Sequence, residues 1–288
     1  MDYKVEQKII SDFLANSSLK DFIVANFQES LVSIGFSKKL IDTLTSNLSN
    51  LEISRFQSDF SDELEKIYCI GFFQKIVPAY FEQFVIPEIP EGKVLDVGCG
   101  TGILIKKLSE VGFHDLVGID INEYPEWQSF SSRGARFEVV SENQFPKFLV
   151  EHQPDAITLT WALHHMRYDE QERYLKMIFE KMKDGSKIVV LEDSYSEELH
   201  PENSEERWRT FMKWPESARK KIMSVYDWVA NRVLAKREHV PIPFGYRTME
   251  EWIKLFTKIG YGLISRKFIG FPDQRDINTP QSLLIFRK

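Results

Sequence analysis

Nine consecutive residues carry the clearest chemical potential: Val94-Leu95-Asp96-Val97-Gly98-Cys99-Gly100-Thr101-Gly102, an apolar strand running into glycines at alternate positions and then an apolar helix. Glycines at the carboxyl end of a strand let backbone approach a ligand with no Cβ in the way. Eighteen residues past Gly102 a second apolar run ends in Asp120, where an acid can accept hydrogen bonds from ribose hydroxyls. The pair points to a nucleoside-containing cofactor. A phosphate-binding loop of the Walker type needs Lys and Ser or Thr where this chain has Ile103-Leu104, and a dinucleotide fingerprint wants Gly or Ala at 103. Ile103 argues against both, and against a pyrophosphate over the helix N-terminus. Asp96, also at a strand end, suits a cationic ligand better than a phosphate.

A second set of chemically able residues lies further on. His164 and His165 follow a predicted strand end, and a neutral imidazole there suits a general base, so both are catalytic candidates beside a structural or cofactor-edge reading. Adjacent histidines lack the i,i+4 spacing that puts two imidazoles on one metal, and no metal is expected. Glu192 and Asp193 close another strand at the same edge, where they could orient a substrate amine or hydroxyl, or equally cap a helix or form a salt bridge. Trp208, Trp228 and Tyr246 lie in an aromatic segment that reads either as core or as a lid over an acceptor.

The elements that must position these residues are legible from periodicity. Residues 1–88 read as four or five short helices, from apolar spacings such as Phe22, Ile23, Phe27, Leu31 and Leu40, Leu44, Leu48. From 89 the chain alternates strands and helices, with strands at Val94-Val97, Leu116-Asp120, Phe137-Val140, Ala156-Thr160 and Lys187-Leu191, and an amphipathic helix through Tyr174, Leu175, Ile178, Phe179 and Met182. A helical, lid-like insertion over 194–246 interrupts the repeat, with a stripe at Ile222, Val225, Tyr226, Val229 and Val233. Thr248 and Glu251 make a capping box before Trp252, Leu255, Phe256 and Ile259, and the helix stops at Gly260. Two last strands, Gly262-Ile269 and Ser282-Arg287, separated by a Pro/Asp/Asn loop, most simply pair antiparallel at the sheet.

On the Asp-x-Gly-x-Gly-x-Gly loop, Asp120 and the segment Asp155-Ala-Ile-Thr-Leu-Thr160-Trp161-Ala-Leu-His164-His165-Met166, the chain from about Gly92 onward resembles the class I S-adenosylmethionine-dependent methyltransferases. The resemblance implies an α/β Rossmann-like doubly wound sheet of seven strands in the order 3-2-1-4-5-7-6, the last strand antiparallel. It implies S-adenosyl-L-methionine as cofactor, with Asp96, Gly98, Cys99, Gly100, Thr101 and Gly102 beside the methionine part and Asp120 on the ribose. Ile121 would pack on adenine, and Thr160 and Trp161 would border the methionine and the transferred methyl. Many relatives place an Asp near the adenine amino group; here the matching stretch is Val140-Ser141-Glu142-Asn143-Gln144-Phe145-Pro146, so Ser141 or Glu142 takes that place.

Composition narrows the acceptor. With 37 Lys and Arg against 43 Asp and Glu the formal net charge is −6, the wrong sign for tracking a phosphate backbone. Residues 1–88 hold 13 acidic and 8 basic residues, and 194–246 hold 9 basic and 8 acidic, so no basic strip is present. The fourth-strand motif also lacks the Asp/Asn-Pro-Pro-aromatic run of adenine-amino DNA methyltransferases. Two cysteines, Cys69 and Cys99, and mixed charge at the N-terminus suggest a reducing cytoplasmic setting, and the longest apolar run, Cys69 to Phe73, is too short for a membrane span. The expectation is methyl transfer to an O, N or C atom of a small-molecule or lipid-like acceptor, with a homodimer through the N-terminal helices possible. A protein methyltransferase and a non-catalytic cofactor-binding module are the alternatives.

Overall fold

The computed structural model describes residues 3–130, 135–202, 205–272 and 279–288. The chain divides into two compact units, each assembled from separate stretches: Met1–Ile76, His200–Tyr246 and Ile269–Pro280 in the first, Val77–Leu199, Arg247–Phe268 and Gln281–Lys288 in the second. Arg247 and Gln281 are thus residues at which the chain re-enters the second unit.

The second unit carries the sheet. Its strands are β1 (Val94–Val97), β2 (Leu116–Asp120), β3 (Ala135–Val139), β4 (Ala156–Thr160), β5 (Lys187–Asp193), β6 (Gly262–Gly270) and β7 (Gln281–Arg287), in the order β3-β2-β1-β4-β5-β7-β6. Neighbours from β3 through β5 run parallel, and β7 pairs antiparallel with β5. This is the doubly wound arrangement of Rossmann-like proteins, and it matches the order the sequence resemblance implies. β1 is buried along its whole length, as a strand covered on both faces must be. The helix Ile103–Glu110 buries Leu104, Ile105 and Leu108, and beyond the sheet Phe256 stacks on Phe286 at 4.2 Å. The helix Val77–Phe84 belongs to this unit, with Glu82 paired to Lys107 at 2.8 Å.

Strand limits differ slightly from the pattern. β3 begins at Ala135, and β5 continues through Glu192 and Asp193 because Ser282 and Gln281 of β7 pair with them. The helix Met249–Ile259 has the expected capping box, Thr248 accepting from the N–H of Glu251 while the Glu251 carboxylate accepts from the N–H of Thr248. The Pro/Asp/Asn loop between β6 and β7 falls largely at 273–278, outside the described residues.

The first unit is helical. Tyr3–Phe13, Ser17–Ser33, Lys38–Asn47 and Ile53–Asp59 are followed by Ser61–Glu63, which runs into a π-helix over Leu64–Ile76. The buried positions Leu64, Tyr68 and Phe72 recur every four residues and the next, Val77, comes five later, a spacing wider than the α-helical one. A second π-helical stretch, Val229–Leu234, follows the helix Glu216–Trp228. Gln57 donates to the carbonyls of Arg232 and Val233 there, at 2.7 and 3.2 Å. The buried Arg232 guanidinium grips the buried Glu6 carboxylate with two bonds of 2.8 Å and also donates to the carbonyl of Val240. Among the described residues no helix is long and apolar enough to cross a membrane.

Candidate functional site

The site is built at the carboxyl ends of β1, β2 and β4. After Val97 the backbone turns through three left-handed residues, Gly98, Gly100 and Gly102, at φ of 71°, 50° and 81°. The N–H groups of Gly98 and Cys99 both donate to the carbonyl of Ile119, at 2.9 and 3.0 Å, which ties the loop to β2. A Cβ on Gly98 would lie 3.0 Å from that of Ala162, so this loop and the chain beyond β4 approach closely. A Cβ on Gly102 would lie 2.5 Å from the ring of Phe137, and one on Gly118 2.8 Å from it. Those two glycines therefore make room for an aromatic side chain of β3. Trp127 stacks on that ring at 5.2 Å and donates its indole N–H to the carbonyl of Gly100 at 2.8 Å.

Asp120 braces the loop from β2. One carboxylate oxygen accepts from the N–H of Gly100 and the other from that of Asn122, both at 3.0 Å. An ionised carboxylate accepts about four hydrogen bonds, so capacity remains for a diol. Ile121, beside it, is 60 % exposed, an apolar side chain left open at the mouth of the sheet. The N–H of Val140 donates to the carbonyl of Asp120 and brings the next stretch alongside. In that stretch the Ser141 hydroxyl donates to the Gln144 carbonyl oxygen at 2.6 Å, and Glu142 pairs with Arg173 at the surface.

Asp96 is buried beneath the loop. Burial, offset in part by the Thr158 hydroxyl donating at 2.7 Å and reinforced by the charge of Asp120, pushes its carboxyl up to about 7. Burial, with the charges of Asp96 and Asp120, also raises the Cys99 thiol well above its ordinary range, so it stays protonated. Two acids in and under one loop disfavour a phosphate and provide for a positive group. Thr101 sits half-exposed in the same turn.

Beyond β4 the chain makes a second turn. Half-exposed Thr160 ends the strand, and Trp161 adopts φ 52°, a left-handed conformation that is an outlier for a bulky residue. The indole N–H donates to the Gln281 side-chain oxygen at 2.5 Å, and the ring packs on Phe81 at 5.1 Å and Tyr80 at 6.1 Å. A short 3-10 helix, Leu163–His165, follows. Fully buried Glu192 accepts from the N–H groups of Ala162 and Leu163, at 3.0 and 2.7 Å, and faces the Nδ1 of His164 at 2.6 Å. Fully buried Gln171 donates to the carbonyls of Leu163 and Met166, and Arg247 donates to Gln171 at 2.7 Å. Burial lowers the Arg247 guanidinium from its ordinary value.

The structure therefore brings together Asp96, the glycine loop, Asp120, Ile121, Ser141 and Glu142 along β1 to β3, and Thr160, Trp161, His164, His165, Glu192 and Asp193 along β4 and β5. Trp208, Trp228 and Tyr246 lie in the helical unit. There Trp228 is fully buried, Trp208 packs near His200 at 4.9 Å, and the Tyr246 hydroxyl donates to Asp227 at 2.7 Å. Sequence reasoning missed Phe137, Trp127, Gln171, Arg247 and Gln281. Only Phe137 left a signal, as a large aromatic on a strand parallel to one that carries Gly118.

The family model described as "Methyltransferase domain" matches residues 70–265, and the chain belongs to that family. Uncharacterized methyltransferases of Bacillus cytotoxicus (30 % identical over 117 residues, 40 % of this chain and 54 % of that protein) and of Geobacillus sp. strain WCH70 (31 % over 103 residues, 35 % and 47 %) are similar to it. The chain thus spans about half the length of these curated relatives. Among solved structures it is similar to an S-adenosylmethionine-dependent methyltransferase from Archaeoglobus fulgidus, at 16 % identity and TM-score 0.48 over 77 % of this chain and all of that one. The 1,6-didemethyltoxoflavin-N1-methyltransferase of Burkholderia thailandensis gives 16 % identity and TM-score 0.47 over 82 % and 86 %.

Proposed function

We propose that the chain is an S-adenosylmethionine-dependent methyltransferase that acts on a small-molecule acceptor. The observation that carries the reading is the loop itself: a left-handed glycine turn braced by Asp120 and underlain by the buried Asp96, in a chain of the methyltransferase domain family. S-adenosylmethionine, when bound, supplies a methyl group on a positively charged sulfur. The protein's part is to bind and align. Gly98, Cys99, Gly100, Thr101 and Gly102 offer close backbone approach beside the methionine part, Asp120 keeps acceptor capacity for the ribose diol, and Ile121 offers an apolar surface to adenine, with Ser141 or Glu142 at the adenine edge. Asp96 gives up its proton more readily when a cation arrives nearby, so its charge grows on binding.

Thr160 and Trp161 border the reacting end. Glu192 holds the turn that carries His164 and His165, the candidate bases for an acceptor proton. Asp193 and Glu192 are engaged with neighbouring protein groups, which supports a positioning role for both. The near balance of charge in 194–246 and the net charge of −6 favour a small acceptor over a nucleic acid. The test is calorimetric titration of the full chain with S-adenosylmethionine, with NADH as control and Asp120→Ala beside it. Saturable binding that the variant loses is expected; no binding, or preference for NADH, would overturn the reading. A coupled assay for S-adenosylhomocysteine release then screens small-molecule acceptors.

A further inference from the structure

Trp161 presents an unusual physical problem. A left-handed backbone at a residue of this size persists only where its surroundings over-determine it, and such residues cluster where a ligand is handled. Part of the restraint comes from the neighbouring strand, since the N–H of Trp161 donates to the carbonyl of Leu191 on β5 at 2.8 Å. A polar part comes from a residue 120 positions away, the fully buried Gln281 at the start of β7.

Gln281 stands opposite Asp193 in the antiparallel pairing of β5 and β7, and its amide donates to the Asp193 carboxylate. That bond settles which way the amide faces. A carboxylate can only accept, so it takes the NH2 end; the indole can only donate, so the carbonyl end must meet it. A carboxylate on β5 thereby fixes an amide on β7, and the amide fixes the indole just past β4. Trp161 in turn adjoins the glycine loop, because Ala162, the next residue, is what a Cβ on Gly98 would meet.

We propose that Gln281 is a positioning residue for the cofactor site, acting through Trp161, and that Asp193 serves it by setting the orientation of the Gln281 amide. The inference rests on the cofactor reading above. It assigns Asp193 to the site's support rather than to the acceptor. It also predicts that what matters is the polarity of the chain of bonds, donor to acceptor, more than the identity of each residue.

A swap of the two polar groups tests this. S-adenosylmethionine and S-adenosylhomocysteine are titrated into the full chain and into Gln281→Met, Trp161→Phe, their double variant, Gln281→Glu, Asp193→Asn, and Gln281→Glu combined with Asp193→Asn. Gln281→Met weakens S-adenosylmethionine binding about tenfold, as loss of a buried hydrogen bond implies. Trp161→Phe does the same, and the double variant is no weaker than either single one. Gln281→Glu alone sets two carboxylates side by side and binds poorly. Adding Asp193→Asn supplies a donor to the new carboxylate, which still accepts from the indole, and brings affinity back to within about threefold of the parent.

Additive losses in Gln281→Met and Trp161→Phe, or a swapped pair no better than Gln281→Glu alone, overturn the inference. The swap keeps both buried polar groups, so it stays informative if Gln281→Met does not fold. Binding that depends on Asp120 yet ignores Gln281→Met sinks this inference alone, whereas a parent protein that does not bind S-adenosylmethionine removes the cofactor reading and this inference with it.

Discussion

The turn after β1 and the turn after β4 set the same task, a backbone forced into left-handed conformations at a sheet edge, and they meet it by opposite means. The first uses glycine three times, at Gly98, Gly100 and Gly102, where positive φ carries no Cβ penalty. The second uses a tryptophan and holds it by bonds from outside: Leu191 and Gln281 on Trp161, Glu192 and Gln171 on the residues that follow. One turn is free of strain, and its ties to Ile119, Asp120 and Trp127 only choose among conformations that glycine allows. The other is strained, and its shape depends on buried side chains drawn from β5, β7 and the helix Tyr168–Lys181. Two adjoining turns at one sheet edge can thus be shaped from different places, the first by glycines within the turn and the second by side chains far from it in sequence.

The sharpest way to break the comparison is to remove the main support of the strained turn. Glu192→Ala orphans two backbone N–H groups and the Nδ1 of His164 in a buried setting, and should cost about 3–5 kcal/mol, a fall of roughly 10 °C in melting temperature. Glu192→Gln, which keeps one acceptor, should lose markedly less. On the permissive turn, Gly102→Ala adds both a disfavoured φ and a contact with Phe137, for about 2–3 kcal/mol in a denaturant titration. Phe137→Leu in the same chain should recover the steric part and leave the conformational part.

A third prediction turns on charge. The Asp96 carboxyl is raised when folded, so the folded protein holds that proton more tightly than the unfolded chain does. Its contribution is fully favourable below about pH 4 and is lost as pH rises through about 7. Asp96→Asn should therefore make the ligand-free protein more stable than the parent at pH 8, by about 1–2 kcal/mol, with the gap closing toward pH 5. The same variant should bind S-adenosylmethionine more weakly. Parallel melting curves for the two proteins from pH 5 to 8 would contradict the assignment. The smallest effect on stability is expected for Trp161→Phe, which keeps a ring against Phe81 and Tyr80 and loses only the bond to the buried Gln281 oxygen, about 1 kcal/mol. Binding of S-adenosylmethionine should suffer much more than the melting temperature does.

The same contrast decides what could be read from the sequence. The glycine loop, Asp120 and the alternation of strands and helices are local patterns, and the seven-stranded order agrees with the one implied by resemblance. The residues that hold the second turn carry no local pattern. Gln281 and Trp161 are 120 positions apart, and Gln171 and Arg247 are 76 apart, so only the pairing of strands and the packing of helices reveals that they meet. The apolar run alone ends β5 at Leu191, yet Glu192 and Asp193 continue the strand because β7 pairs with both. In the helical unit, spacing announced helices but not that Leu64–Ile76 winds as a π-helix, since a four-residue recurrence of buried positions fits either winding until the five-residue step at Val77.

The place of β7 bears on how the sheet assembles. It is the last strand in chain order, yet it lies between β5 and β6 rather than at a margin. Until β7 docks, β6 has no neighbour and β5 ends the sheet with an open row of backbone groups. In the folded chain β6 is the margin, where the charged Arg266 and Lys267 stand beside exposed Leu263 and Ile264 and blunt the open edge. Closure joins Asp193 to Gln281 across 88 positions, a long-range pairing of the kind that forms slowly.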